Sequence, residues 1–217
     1  MTEFSLSEGL FLYPTPKGCF HAISADSSEL SRDFINKLLK QTITPPLTEQ
    51  SLKTLTAQDQ SDKALELLHH CQKLGWIQGL TAEKKLPEIA LENLLPDLLR
   101  HLSGNERALL VDDQGFNLSG IGFTHEAAEE ISALAAEIAV FYNRRKGLLN
   151  RNLGIKSQAW AIVDTYGNSE IGFWPMFIGN YRFVIVIEGV PFFNTPEFVE
   201  LVWLLSIRYA DTKSDNS

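Results

Sequence analysis

The sequence has little cysteine, no long apolar run and no recognisable targeting segment. Its 217 residues include only Cys19 and Cys71, which are too few for a disulfide framework. A bilayer-spanning helix needs about 20 consecutive apolar residues, and no such run occurs. Residues 1–10 lack the basic start and the apolar stretch of a secretory signal. These absences together predict a cytoplasmic protein with no membrane insertion.

Positive charge is also scarce, with 19 lysines and arginines against 27 acidic residues and a net charge of −8. Non-specific binding to nucleic acid requires a basic surface that neutralises phosphates. The acidic balance therefore argues against nucleic acid as the main partner.

One segment departs from this acidic balance, because no acidic residue lies between Glu137 and Asp164. The cations inside that interval are Arg144, Arg145, Lys146, Arg151 and Lys156. One interpretation is a helix C-terminus, where cations complement the helix dipole. The other is a docking patch for an acidic partner surface, with Arg144, Arg145, Lys146 and Arg151 as its candidate residues.

The apolar content, 44% of residues, predicts a folded core because it is close to the globular average of about 45–50%. A length of 217 residues fits one large domain or two small ones. The charged, proline-containing stretch 81–90 is the candidate linker between two units. The polar residues 211–217 are predicted to be a disordered tail.

Residues 1–85 predict a small, mostly helical unit that is winged-helix-like. A Thr-Pro-Lys-Gly turn within 9–23 favours a hairpin of two short strands. Three helices follow, the last ending at Gly75, and 76–80 has the pattern of a short strand or wing. Because no helix in this unit is strongly basic, protein docking is favoured over DNA binding.

Residues 91–210 predict a second unit with the order helix, two strands, long helix, three strands, helix. Asp-x-x-Gly and Gly-Asn turns join the strands tightly, which makes each strand group antiparallel. Thr124 is the expected N-cap of the long helix, and Thr195 precedes Pro196 as the cap of the last helix. The predicted fold class is α+β, with one five-stranded antiparallel sheet packed against helices.

The run Ala-Leu-Leu-Val-Asp-Asp-Gln-Gly-Phe at 108–116 places an apolar strand before an Asp-x-x-Gly turn, and an alanine-rich helix follows at 129–139. Together with the element order, this run resembles the roadblock/dynein-light-chain family over about residues 91–210. The resemblance implies a roadblock/profilin-like fold that forms homodimers through sheet edges and long helices. It also implies a protein that regulates or scaffolds Ras-like small GTPases, or that binds dynein-type cargo.

Small and aromatic residues mark the surfaces that could meet a second copy. Alanines on the long helix permit close helix approach, and the aromatic run 173–177 is too apolar for both faces of an exposed strand. Pro175, inside this run, predicts an edge or bulged position because it cannot donate a ladder hydrogen bond. The candidate dimer contacts are Ala128, Ile131, Ala135, Ile138, Trp174 and Met176. Strand alternation puts Trp174 and Met176 on one face and Phe173 and Phe177 on the other, where core packing is an equal interpretation.

No pattern of residues predicts a catalytic, cofactor or metal site. The sequence has no Gly-x4-Gly-Lys-Ser/Thr phosphate loop and no Gly-x-Ser-x-Gly nucleophile elbow. Gly120 and Gly122 lack the third glycine of a dinucleotide fingerprint, since His125 stands in its place. His69-His70-Cys71 is a poor zinc ligand set, because adjacent helical residues point about 100° apart.

The sequence therefore predicts a non-enzymatic regulatory or scaffold protein that homodimerises and binds a partner protein. The resemblance points to a small GTPase as that partner. Two alternatives stay open. One is a small-molecule sensor, since sheet-and-helix domains can open a pocket beneath a helix. The other is a transcription regulator that uses the N-terminal unit on DNA.

Overall fold

The computed structural model describes residues 6–7 and 9–209 and divides the chain into two separately packed units. The first unit contains β1 (Phe11–Pro14), α1 (Pro16–Ile23), α2 (Leu30–Leu39), α3 (Glu49–Thr56), α4 (Ser61–Lys73), β2 (Ile77–Leu80) and α7 (Pro196–Tyr209). The second contains α5 (Leu91–Arg100), β3 (Ala108–Val111), β4 (Asn117–Ile121), α6 (His125–Lys146), a π-helical turn (Gly147–Asn152), β5 (Trp160–Val163), β6 (Ser169–Ile178) and β7 (Tyr181–Glu188). None of the helices among these residues combines the length and apolarity needed to cross a membrane.

The first unit holds a two-stranded antiparallel sheet made by β1 and β2. The strand predicted after the third helix is confirmed as β2, and Gly75, with φ +70, separates it from α4. The three predicted helices correspond to α2, α3 and α4. The winged-helix likeness of this unit stays a prediction.

Residues 16–23 form a helix, so the predicted hairpin within 9–23 is wrong. The Thr15 side chain accepts a hydrogen bond from the backbone N–H of Gly18 at 3.0 Å, and Pro16 takes the first helical position. A Cβ on Gly18 would lie 2.0 Å from the carbonyl oxygen of Trp76. Pro16 therefore begins a helix, and Gly18 allows the close approach of the Trp76 backbone. Neither residue forms a hairpin turn.

The last helix, α7, packs against α1 and α2 in the first unit. Its indole Trp203 donates a hydrogen bond from Nε1 to the carbonyl of Gln41 at 2.6 Å. Thr195 accepts from the backbone N–H of Phe198 at 3.4 Å, as its predicted capping role requires. The domain limits 1–85 and 91–210 stay predictions. Helix α7 was expected at the end of the second unit, but it packs with the first. The predicted tail, 211–217, lies outside the described residues.

The second unit is built on a five-stranded antiparallel sheet with the strand order β4-β3-β7-β6-β5. This sheet confirms the predicted α+β class. β3 is buried at every residue, and so are positions 183–187 of β7. Their unbroken apolar sequences, ALLV and FVIVI, are typical of strands covered on both faces.

Helix α6 packs on one face of this sheet through small side chains. It begins where the sequence predicts, since Thr124 accepts from the backbone N–H of Ala127 at 3.3 Å. Its buried residues are Ala128, Ser132, Ala135, Ala139 and Tyr142. Two of these alanines share a core cluster with large strand side chains: Leu109, Val111, Phe173, Val184 and Val186. Small residues on the helix therefore let its backbone approach a sheet face that is itself bulky.

Pro175 occupies a local edge of the sheet. β6 pairs with β7 on one side and with β5 on the other, so the strand as a whole is not an edge strand. The pairing with β5 nevertheless ends at the Trp160–Phe173 pair, two residues before Pro175. The missing N–H of the proline is therefore tolerated where the neighbouring strand has stopped.

Two hairpins of the sheet close with the same five-residue loop, which begins at Asp112 and at Asp164. In each, the aspartate Oδ1 accepts hydrogen bonds from the backbone N–H groups two and four residues later, at 2.8–2.9 Å. The fourth residue is a glycine of positive φ, +89 at Gly115 and +87 at Gly167. A hydrogen bond from the Asn168 side chain contributes most to holding the pKa of Asp164 below its ordinary value.

Candidate interaction surface

The outer flank of α6 carries two large apolar side chains that face solvent. Leu134 and Phe141 are 40% and 48% exposed and lie seven residues apart, on the same side of the helix. Ile131 and Ile138 are partly buried against the core cluster beside them. These four side chains therefore form an apolar stripe along α6, with the isoleucines on its core side and Leu134 and Phe141 on its solvent side.

The edge strand β5 continues this stripe. The ring of Trp160 meets the ring of Phe141 with centroids 5.2 Å apart. Ile162 lies on the same face of β5, two residues further along, and is 56% exposed. Because β5 ends the sheet, its outer backbone groups have no strand partner within the described residues. Leu134, Ile138, Phe141, Trp160 and Ile162 are termed the α6–β5 surface.

Two predicted dimer contacts, Ala128 and Ala135, lie in the core between α6 and the sheet. They are 5% and 1% exposed, so their small size serves the approach of α6 to the strands. Ile131 and Ile138, also predicted, border the solvent-facing stripe. Within one chain Ala128 and Ala135 are thus covered by the sheet, and their role as dimer contacts stays a prediction.

The other two predicted dimer contacts, Trp174 and Met176, lie on the sheet face opposite Phe173, as strand alternation predicts. Met176 is buried, and Trp174 is partly buried with its ring over Gly172, where a Cβ would approach to 2.2 Å. Being on the opposite face from α6, they are not brought together with the α6–β5 surface. Their role as dimer contacts stays a prediction.

The five predicted cations lie on one continuous segment, residues 144–156, which is termed the basic loop. The first three, at 144–146, form the last turn of α6 and complement its dipole. Arg151 lies in the π-helical turn and Lys156 follows that turn, beyond the end of α6. All five side chains are exposed. The dipole interpretation therefore covers the three cations at the end of α6 and Arg151 in the last turn of the π-helical segment that follows, whereas Lys156 lies outside both.

A partly buried histidine links α1 to α2. His21 Nε2 lies 3.1 Å from the hydroxyl of Ser31, which donates its own proton to Glu29 at 2.7 Å. The imidazole stacks on Trp76 with centroids 3.8 Å apart. Burial, reinforced by Arg32, lowers the pKa of His21 from its ordinary value. The Ser31 hydroxyl donates its proton to Glu29 and not to the imidazole of His21. The three residues are therefore not arranged as a catalytic triad, in which the histidine accepts the proton of the serine.

The cysteines are buried free thiols that are not activated. Burial raises the pKa of Cys71 to about 11, and it raises the pKa of Cys19 as well. A nucleophilic or metal-binding cysteine requires the opposite shift. In the part of the chain that the structure describes, no group of three or more His, Cys, Asp or Glu side chains is placed to hold a metal ion.

Sequence reasoning missed most of the α6–β5 surface. For the helix a signal exists, because Leu134 and Phe141 repeat at a spacing of seven residues. For Trp160 and Ile162 the sequence offers no equivalent signal. Their importance depends on β5 being the outermost strand, and strand order is set by contacts between distant parts of the chain.

Comparison with known proteins gives one distant structural neighbour. No protein-family model matches the chain, and no curated protein matches it significantly. Among solved structures, the chain is similar to Myxococcus xanthus MglB, with 17% sequence identity over 58% of this chain and 92% of that chain. The TM-score is 0.35, a value at which the similarity carries no conclusion about this protein.

Proposed function

We propose that this protein is a non-enzymatic regulatory or scaffold protein that homodimerises through the α6–β5 surface and binds a partner protein. The observation that carries the proposal is the exposed apolar path from Leu134 and Phe141 on α6 to Trp160 and Ile162 on the edge strand. Aromatic side chains are enriched at the centres of protein interfaces. The roadblock resemblance supplies the partner class, a Ras-like small GTPase.

A second copy of the chain has the shape and chemistry that this surface requires. In a two-fold dimer each patch meets its own counterpart, so an apolar patch is automatically complementary in polarity. Two β5 strands can pair antiparallel across the axis, which satisfies their outer backbone groups. The same approach removes Phe141 and Ile162 from water. An isolated copy would instead leave an apolar strand edge open, which is an aggregation hazard.

Light scattering at high micromolar concentration tests the dimer. The wild-type protein should have twice the 24.3 kDa mass of one chain. Phe141→Glu combined with Ile162→Glu should return it to a single-chain mass, because each copy would place two carboxylates in the contact. Leu30→Glu, at a residue 61% exposed on α2, is the matched control and should stay dimeric. A wild-type protein of single-chain mass would contradict the dimer.

Calorimetry with a purified Ras-like GTPase tests the partner class separately. Titrations into the GDP-bound and the GTP-analogue-bound forms should show binding that differs between the two nucleotide states. The double glutamate variant reports whether the partner requires the dimer. Absence of binding to both forms would contradict the GTPase assignment and leave the dimer measurement unaffected.

A further inference from the structure

The basic loop concentrates positive charge on an otherwise acidic chain. Its five cations have no acidic residue near them in sequence, since none occurs between Glu137 and Asp164. The acidic residues that give the chain its net charge of −8 lie elsewhere in the sequence. The loop is therefore a run of positive charge within an otherwise acidic sequence.

Exposed aliphatic side chains alternate with these cations. Leu148, Leu153 and Ile155 are 50%, 59% and 46% exposed. Every residue from 150 to 157 is exposed, so this stretch contributes no buried side chain to the core of the unit. Aliphatic side chains left in water on a projecting turn are costly unless a partner covers them.

The loop is nevertheless an ordered structure. The hydroxyl of Tyr142, itself buried in α6, donates to Asn150 Oδ1 at 3.1 Å. The backbone N–H of Ile155 donates to the carbonyl of Leu149 at 2.9 Å. These bonds fix the turn that carries the three aliphatic side chains. The cations and the apolar groups are therefore presented together on a hydrogen-bonded turn, which lowers the cost of ordering the backbone on binding.

We propose that the basic loop binds the anionic lipid headgroups of a membrane surface. Clustered lysines and arginines are attracted to acidic lipids, each cation strengthening partition about fivefold. The three aliphatic side chains can enter the boundary between headgroups and acyl chains, as on amphipathic interfacial segments. Such binding is peripheral and needs no membrane-spanning helix. It does not depend on dimerisation, although a dimer would present two loops.

A lipid surface fits these observations better than an acidic protein. Protein interfaces depend on aromatic anchors that fill pockets, and the loop carries no aromatic residue between Tyr142 and Trp160. Its exposed apolar groups are aliphatic, and they can enter a lipid surface without a preformed pocket. An acidic protein partner would account for the charges but would not explain why Leu148 and Leu153 are exposed beside them.

Vesicle flotation with the full chain tests the proposal. We expect the protein to float with vesicles that contain about one-third phosphatidylserine in phosphatidylcholine, and not with phosphatidylcholine alone. Raising the salt concentration should weaken the binding. If the protein stays with the soluble fraction in both mixtures, the loop is not a lipid site and an acidic protein becomes its partner class.

Two variants with matched controls locate the binding. Arg145→Gln with Lys146→Gln should weaken partition about 25-fold, whereas Lys63→Gln with Lys73→Gln, two exposed cations of α4, should have little effect. Leu153→Ser should weaken it as well, whereas Leu30→Ser, at a similarly exposed leucine, should not. Equal losses in a loop variant and its control would overturn the assignment. Circular dichroism of each variant confirms that the fold is intact.

Discussion

The ring of Phe141 on α6 stands edge-on to the ring of Trp160 on β5, with centroids 5.2 Å apart and ring planes at 78°. This T-shaped arrangement places the positive edge of one ring against the negative face of the other. It is a contact between the edge strand β5 and the long helix. It also sets the centre of the α6–β5 surface.

We expect this pair to stabilise β5. A double-mutant cycle with Phe141→Ala and Trp160→Ala should give a coupling free energy of about 0.5–1.5 kcal/mol. Urea unfolding at concentrations where all variants are monomeric measures it. A second cycle pairs Phe141→Ala with Phe116→Ala, a residue 64% exposed beside the opposite edge strand, and should be additive. Equal coupling in both cycles would show that the aromatic contact contributes nothing specific.

Enlarging the small face of α6 should destabilise the second unit. Ala135→Leu places three extra carbons in the cluster with Leu109 and Phe173, and overpacking of this kind costs about 1–3 kcal/mol. Ala133→Leu is the same change at an exposed position of α6 and should stay within about 0.5 kcal/mol of wild type. Thermal unfolding compares the two. If Ala135→Leu is neutral in stability but alters the oligomeric mass, Ala135 is a dimer contact as the sequence first suggested.

Gly18 should tolerate no side chain. An added Cβ would meet the backbone carbonyl of Trp76 at 2.0 Å, and backbone cannot move aside as a flexible side chain can. Gly18→Ala should therefore cost about 3 kcal/mol or more of the unfolding free energy. Gly147→Ala, where the nearest atom is a side-chain nitrogen of Arg151 at 3.5 Å, should be neutral or slightly stabilising. Comparable unfolding midpoints for the two variants would contradict the close approach of α1 and the Trp76 backbone.

The stability of the first unit should decline in mild acid because of His21. Its folded pKa lies below the unfolded value of 6.5, so the unfolded state binds the proton more readily. The stabilisation is complete above the unfolded pKa and is lost as the pH falls through the folded pKa. His21→Gln should flatten this part of a urea-unfolding profile taken over about pH 5–8. A slope unchanged by His21→Gln would assign the effect to another group.

Local chemistry in the sequence was enough to predict most elements of the second unit and the start of α7 in the first unit. Thr124 and the Thr195-Pro196 pair cap the helices they were expected to cap. The Asp-x-x-Gly loops close hairpins because an aspartate oxygen and a glycine of positive φ are all that such a loop needs. These capping and turn interactions join residues within five positions of each other, so they do not depend on contacts with distant parts of the chain.

The failures have a common physical origin in contacts between residues far apart in sequence. Thr-Pro followed by a glycine can start either a turn or a helix, and the backbone of Trp76 is the distant contact that meets α1 at Gly18. The alanines of α6 are suitable for a helix dimer or for a sheet, and within one chain Ala128 and Ala135 pack with side chains of β3, β6 and β7, so their role as dimer contacts stays a prediction. The periodicity of apolar residues predicts which face of a helix is apolar, but it does not identify the element that packs against that face.

The sheet is joined by one pairing between distant parts of the chain. β3 and β4 form a local hairpin, and β5, β6 and β7 form a local meander, whereas β3 and β7 meet through register pairs such as Ala108 and Ile187. During synthesis on the ribosome, one backbone edge of the apolar strand β3 therefore stays unpaired until about seventy further residues have emerged. That interval is when the nascent chain is most open to mispairing, and when chaperones would protect it.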